Sequence, residues 1–280
     1  MRVLVTGVKG QLGYDVVKEL EKRGHRPIGV DRDEMDLMDN DAIRTFIMNL
    51  KPDAIIHCAA YTAVDKAEEE VDTCYQINAE SVKVIAQCAK VLDVKMIYIS
   101  TDYVFDGTKE GEYVETDFPN PINVYGASKL KGEQYVQALL EKYYIVRISW
   151  VFGVNGSNFI KTMRRLGTER DELNIINDQV GSPTYTADLA PLLVDMMETN
   201  KYGIYHATNE GFCSWYEFAN EIFKQSRIEV KTNPITTDQY PTAAKRPMNS
   251  KMSKAKLKAN GFSILLTWQQ SLADYIIKIE

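Results

Sequence analysis

A glycine-rich turn between the first apolar run and the first helical pattern constrains this chain more than any other feature. Val3-Leu4-Val5 is short and rich in β-branched residues, and Thr6-Gly7 ends it. Leu12, Val16, Val17 and Leu20 then recur at helical spacing as far as Lys22. Between the two lies Thr6-Gly7-Val8-Lys9-Gly10-Gln11-Leu12-Gly13. A strand that passes through such a turn into a helix presents backbone N–H groups at a helix N-terminus. A phosphate is stabilised there, provided that side chains are out of its way. In this reading Gly7 permits the tight turn, Gly10 permits close approach, and Gly13 lets the helix sit against the strand.

The rhythm continues. Strands are expected at Arg26–Val30, 54–56, Lys95–Ser100 and Tyr144–Ile148, and helices at Asp41–Leu50, Asp72–Leu92 and Asn123–Glu141. Continuous apolar strands alternating with helices imply a parallel sheet covered on both faces. The expected fold is therefore α/β, a Rossmann-type doubly wound parallel sheet with a smaller C-terminal substrate-binding lobe. Residues 1–150 form the dinucleotide-binding domain and 151–280 mainly the substrate lobe. Helices are expected at Asn158–Leu166, Thr186–Met197 and Trp215–Gln225. Strands near 173–176 and 203–207 are expected to return to the first domain.

Composition narrows the function. Lys+Arg 33 against Asp+Glu 39 gives −6, which argues against a nucleic-acid binder. Cys58, Cys74, Cys88 and Cys213 form no CxxC, and His25, His57 and His206 form no HExxH, so a reduced cytoplasmic protein without a histidine-held metal is expected. No apolar run approaches the ~18 residues of a membrane span. Met1-Arg2 leads straight into the first strand, so no secretory leader is expected.

The candidate site residues follow the strand ends. Asp31 lies 18 residues after Gly13 at the end of the second strand, where an acid accepts hydrogen bonds from a ribose. Arg32 beside it could instead hold a 2′-phosphate. Asp36-Leu37 could grip an adenine, or Asp36 could cap a helix. Ala59-Ala60-Tyr61 would let a cofactor pass over the sheet edge, and His57 reads as a side chain buried against the sheet. Thr101 and Asp102 end a later strand, and Tyr125 and Lys129 share one helical face. An ammonium near a phenol favours the phenolate, which suits Tyr125 to acid–base work. From Pro241 to Ala273 there is no acid, while Arg246 and five lysines occur. That stretch is either a solvated face or a patch for an anionic ligand.

Together the glycine turn, the Ala-Ala, the strand-end Ser-Thr and the YxxxK resemble the extended short-chain dehydrogenases/reductases. Within them the dTDP-4-dehydrorhamnose reductases are most similar. Their pattern runs through Ala60–Glu68, Ser100–Phe105, Asn123–Gly126, Arg147–Trp150, Ile176–Gln179, Pro183-Thr184, Arg246-Pro247 and Asn249-Ser250, essentially the whole chain.

The resemblance implies a reduction at C4 of a dTDP-sugar by NADPH, with NADH possible. Tyr125 is then the proton donor, Lys129 tunes it and holds the nicotinamide ribose, and Thr101 and Asp102 contact the sugar. Trp150 packs on the sugar. Gly10-Gln11-Leu12, Asp31, Asp36-Leu37 and Ala59-Ala60-Tyr61 line the cofactor. Some members hold Mg2+ at a dimer interface; the corresponding acids here are Asp15 and Asp188, which leaves both Mg2+ and the choice between monomer and homodimer open. A dehydratase would carry Glu where Tyr103 stands, so the elimination chemistry lacks a member. An epimerase or a non-catalytic regulatory subunit remains an alternative, and the presence of both Tyr125 and Lys129 favours an enzyme.

Overall fold

The computed structural model describes residues 1–280. Five strands from the first half, β1 (Arg2–Thr6), β2 (Arg26–Val30), β3 (Ala54–His57), β4 (Lys95–Thr101) and β5 (Tyr143–Ile148), are joined by a sixth, Gly203–His206. All pair in parallel, in the order Gly203–His206, β5, β4, β3, β1, β2. The order reverses at β1 and β3, so a crevice opens beyond their carboxyl ends. Thr6, His57 and Tyr98 stand side by side in register there, and Thr101 lies opposite Ile148.

Alternation along each strand divides the core. Val3, Val5, Ile56, Ile97 and Val146 pack on one face with Leu12, Val16 and Leu20 of helix α1 (Gln11–Lys22) and with Leu189, Leu193 and Met196 of helix Thr186–Glu198. Leu4, Ile55, Met96, Tyr98 and Ile145 face the other way, against Ile43, Ile47, Ile85 and Val136. Each such aliphatic side chain, fully buried, contributes about 1.5–3 kcal/mol. A separate apolar cluster around Phe152, Ile160, Tyr185, Phe218, Ile222 and Leu272 forms the core of the second lobe.

Two expectations are corrected. Glu172–Ile176 does not return to the large sheet; it pairs in parallel with Lys231–Ile235, because Leu173 and Ile175 bury into the second-lobe core. The helix expected over 72–92 is three pieces: Val71–Tyr75, a π-helical turn at Gln76–Glu80, and Ser81–Leu92. Apolar periodicity cannot register one widened turn. Gly203–His206 does join the sheet, beside β5.

Candidate active site

The glycine turn is built as its spacing implies. Gly7 has φ +71°, and a Cβ there would meet the Ala59 backbone at 2.8 Å. A Cβ on Gly13 would lie 2.3 Å from the Gly7 carbonyl oxygen. Gly10 is the N-cap residue that precedes α1, and its N–H donates to Gly7 O at 3.0 Å. Leu12 is buried in the sheet core, so only its backbone faces the turn. The Gln11 carboxamide accepts from Gly153 N at 2.8 Å and Asn158 Nδ2 at 3.1 Å, both in the second lobe. At this end of the sheet lies a cavity of about 490 Å³. Gly7, Asp31, Arg32, Asp36, Leu37, Ala59, Ala60 and Tyr61 all line it. Met35, Glu70, Thr73 and Ile77 also line it, the first two from connecting segments and the last two from the helical stretch 71–80, where nothing in the sequence marks the face turned to the cavity.

The acids of this cavity are partly committed. Asp31 accepts from Lys9 N at 3.0 Å and from Arg32 N at 2.9 Å, so it braces the glycine turn as well as facing the cavity. Asp36 accepts from Met38 N at 3.0 Å, and the helix cap is Asp39, which accepts from Asp41 N and Ala42 N. Arg32 is exposed and is the only cation in the lining. Lys9, by contrast, is paired with Asp33.

Helix Val124–Leu139 presents Tyr125 and Lys129 beside the end of β4. Asn123 caps it, accepting from Gly126 N at 2.7 Å, and donates to Lys245 O at 2.8 Å. The side chain of Thr101 accepts from Tyr103 N at 3.2 Å and donates to Asp102 at 3.1 Å. It also stands against the Tyr125 phenol. Burial raises the Tyr125 phenol above its ordinary value, and Thr101 only partly opposes this. The expectation of a phenol lowered by Lys129 is thus corrected: desolvation dominates. Lys129 is 2% exposed with Nζ 4.1 Å from the Tyr98 ring centre, and burial pushes its ammonium down to about 7 against the opposing charge of Glu133. Asp102 is buried too, which lifts its carboxyl to about 6.

The sequence missed what supports this helix. Asn78, in the π-helical turn, accepts from Tyr61 N at 2.9 Å and donates to Tyr61 O and Ser128 Oγ, both at 3.0 Å. It ties the cavity's Tyr61 to the helix of Tyr125, as π turns often do at functional sites. Glu133 is fully buried; it accepts from Ser100 Oγ at 2.5 Å and from Arg147 Nε and Nη2 at 2.9 and 2.7 Å. His57 is buried as expected, hydrogen-bonded to Thr6 Oγ1 at 2.9 Å and stacked on Tyr98.

On the second-lobe side, Trp150 holds a left-handed backbone, φ +47°, and stacks on Trp215 at 3.7 Å between ring centres. A bulky residue in that conformation is uncommon and points to a site that the surroundings hold in place. Arg246 does not stand without acidic company. It donates to Asp65 through Nη1 at 3.1 Å and Nη2 at 2.6 Å. The lysines downstream of it are dispersed: Lys254 faces Glu210, and Lys256 sits over Tyr205. The single anionic-ligand patch is therefore not formed. Asp15 accepts from Thr186 Oγ1 at 2.5 Å, and Asp188 from Asn209 Nδ2 at 2.8 Å and from Ser271. No three His, Cys, Asp or Glu side chains gather as a metal cage. The Asp15 carboxylate is thus occupied by a hydroxyl donor and that of Asp188 by an amide and a hydroxyl.

Residues 1–280 match the RmlD substrate binding domain family. The chain belongs to it. A dTDP-4-dehydrorhamnose reductase from Aggregatibacter actinomycetemcomitans is 42% identical over 287 residues, covering 98% of this chain and 97% of that protein. The crystal structure of a dTDP-4-dehydrorhamnose reductase from Clostridium acetobutylicum is 43% identical with a TM-score of 0.97, covering 100% of this chain and 99% of that one. That of a Bacillus anthracis dTDP-4-dehydrorhamnose reductase in complex with NADP is 42% identical with a TM-score of 0.96, covering 99% of each chain. This settles the fold expectation. No helix is long and apolar enough to cross a membrane.

Proposed function

We propose that this chain is an NADPH-dependent reductase of dTDP-4-dehydro-L-rhamnose, making dTDP-L-rhamnose in the last step of that sugar nucleotide's synthesis. The observation that carries the reading is the placing of Thr101 against the Tyr125 phenol at the end of β4, with Lys129 one turn further along the same helix, at the carboxyl edge of the sheet where the glycine-turn cavity lies. The comparisons with relatives of this activity support it. Residues around the β1–β3 crevice form the cofactor side, and the lobe built mainly from 151–280 forms the substrate side. We place the enzyme in the cytoplasm, consistent with four free cysteines.

The crevice suits a dinucleotide phosphate. Gly7 and Gly13 leave the turn bare, and the first N–H groups of α1 face it. Asp31 takes the adenosine ribose, Arg32 its 2′-phosphate, Asp36-Leu37 the adenine side, and Ala59-Ala60-Tyr61 the passage over the sheet. NADH remains usable because Asp31 still faces the ribose.

When bound, the reduced nicotinamide supplies a hydride to the sugar's C4 carbonyl carbon. Negative charge then builds on the C4 oxygen, to which Tyr125 donates and toward which the Thr101 hydroxyl can turn from Asp102. The raised phenol of Tyr125 keeps its proton at neutral pH and can transfer it to that oxygen. Lys129 holds the nicotinamide ribose, and its charged form stabilises the phenolate left behind. Asp102 receives a sugar hydroxyl, and Trp150, set by its stack on Trp215, covers the sugar's apolar face. Arg246 reaches the diphosphate with the donors Asp65 leaves free.

The test is turnover of NADPH with dTDP-4-keto-6-deoxy-L-mannose. Efficient oxidation of NADPH is expected. No oxidation with this sugar, alongside rapid reduction of a different keto sugar nucleotide, would overturn the substrate assignment.

A further inference from the structure

The glycine turn is gripped from the second lobe. Asn155 Nδ2 donates to Lys9 O at 2.7 Å and to Gly10 O at 3.1 Å. The contact is returned from the turn side, where the Gln11 carboxamide accepts from Gly153 N and Asn158 Nδ2. Asn158 is fixed in turn by Gly153 O and Tyr275 OH, both at 3.0 Å, and by its own cap bond from Lys161 N. Lys161 Nζ donates to Val154 O and Gly156 O, each at 2.7 Å, which ties the 153–158 loop to its helix. The loop is therefore held by its own lobe, while Asn155 and Asn158 extend two carboxamides across to the turn.

The carbonyls that Asn155 takes matter chemically. Gly10 O belongs to the peptide whose N–H is that of Gln11, the first residue of α1. A hydrogen bond to a peptide carbonyl polarises the N–H at the other end of the same unit. The Lys9 carbonyl does the same for the Gly10 N–H, which closes the turn onto Gly7 O. Asp31 meanwhile takes the Lys9 N–H from the opposite side. With both ends of the Lys9–Gly10 segment held, the turn cannot tilt its N–H groups away from an incoming phosphate.

We propose that Asn155 is a positioning residue for the cofactor's pyrophosphate, supplied by the substrate lobe and acting through the Lys9 and Gly10 carbonyls. This rests on the reading of the crevice as an NADPH site. It makes the phosphate-binding turn dependent on the lobe that holds Trp150.

The experiment compares two ligands on the full chain, by direct binding and without turnover. NADPH engages the turn through its pyrophosphate; adenosine 2′-monophosphate has no pyrophosphate and reaches only the adenosine end. Asn155→Ala should weaken NADPH roughly tenfold, as expected for two lost hydrogen bonds to a preorganised donor, and leave adenosine 2′-monophosphate within about twofold. Asn155→Asp, which keeps the shape but sets a carboxylate against two carbonyls, should weaken NADPH at least as much. Asn155→Gln, which retains the carboxamide, should recover part of the loss. Unchanged NADPH affinity in the Ala and Asp variants would overturn the proposal. So would equal weakening of both ligands, which would make Asn155 a support of the whole cleft. Wild-type protein that binds no NADPH would overturn the functional reading itself.

Discussion

Replacing Arg147 by Met would leave the buried carboxylate of Glu133, on the helix packed against the sheet, without its hydrogen-bonded counter-charge. The side chains of Glu133 and Arg147 are 0% and 2% exposed, and the guanidinium makes two charge-assisted bonds to that carboxylate, at 2.9 and 2.7 Å. In Arg147→Met the Ser100 hydroxyl, at 2.5 Å, is the one donor left. Breaking a buried pair from one side costs about 3–5 kcal/mol. A chain of 280 residues, at about 2.1 cal/mol/K per residue, has an unfolding entropy near 0.6 kcal/mol/K. The expected fall in Tm is therefore roughly 5–8 °C, measured by calorimetry at constant pH and without cofactor. Glu133→Leu combined with Arg147→Met removes both charges and should regain most of the loss, since an apolar pair often replaces a buried ion pair at little cost. If Arg147→Met melts within about 2 °C of wild type, or if the double variant melts as low as the single, the pair does not act as a buried, mutually compensating charge.

Tyr125→Phe should retain the fold and lower kcat by at least ~10²-fold, the low end for losing a general acid; near-normal turnover would remove Tyr125 from that role. Arg32→Ala should raise KM for NADPH and leave that for NADH nearly unchanged, whereas an equal rise in both would show that Arg32 does not read the 2′-phosphate. Acidification through about pH 6 should lower kcat/KM for the nucleotide sugar as Asp102 is protonated, and Asp102→Asn should abolish that limb. The sign for stability is set by the same shift. The folded chain keeps a proton between the ordinary value of 3.8 and about 6 that the unfolded chain has released, so Asp102 costs stability as pH rises through that window, and Asp102→Asn should flatten the slope.

The residues legible in the sequence were those whose chemistry is local. The glycine turn, the strand-end Thr101 and the Tyr125–Lys129 spacing each announce themselves within eight residues, and the structure sets them where those patterns imply. Asn78 and Asn155 were not legible, because each acts through contacts with distant segments, and the helical pattern around Asn78 says nothing of what a polar residue within it will bond. The π turn at Gln76–Glu80 was hidden for a related reason: its flanking helices are both apolar at helical spacing, so the break leaves no mark. Arg246 shows the limit of reading a stretch by itself, since an acid absent from that stretch, Asp65, arrives from elsewhere in the fold. Burial also reversed the expected shift of Tyr125, and burial is a property of the assembled sheet rather than of the motif.

The chain's path through the sheet has a consequence for how the protein comes into being. Helix Thr186–Glu198 and strand Gly203–His206 belong to the sheet layer, although the second-lobe residues Phe152, Ile160, Leu173 and Ile175 precede them. When synthesis has reached β5, Leu12, Val16 and Leu20 on α1 still lack the Leu189, Leu193 and Met196 that cover them, and the β5 edge still lacks its neighbour. The nascent cofactor half is thus an unfinished sticky surface until the 58 residues from the end of β5 to His206 have left the ribosome. A fragment ending near residue 150 should aggregate instead of folding as a free-standing nucleotide binder, and the two halves are expected to reach the native state in one cooperative step.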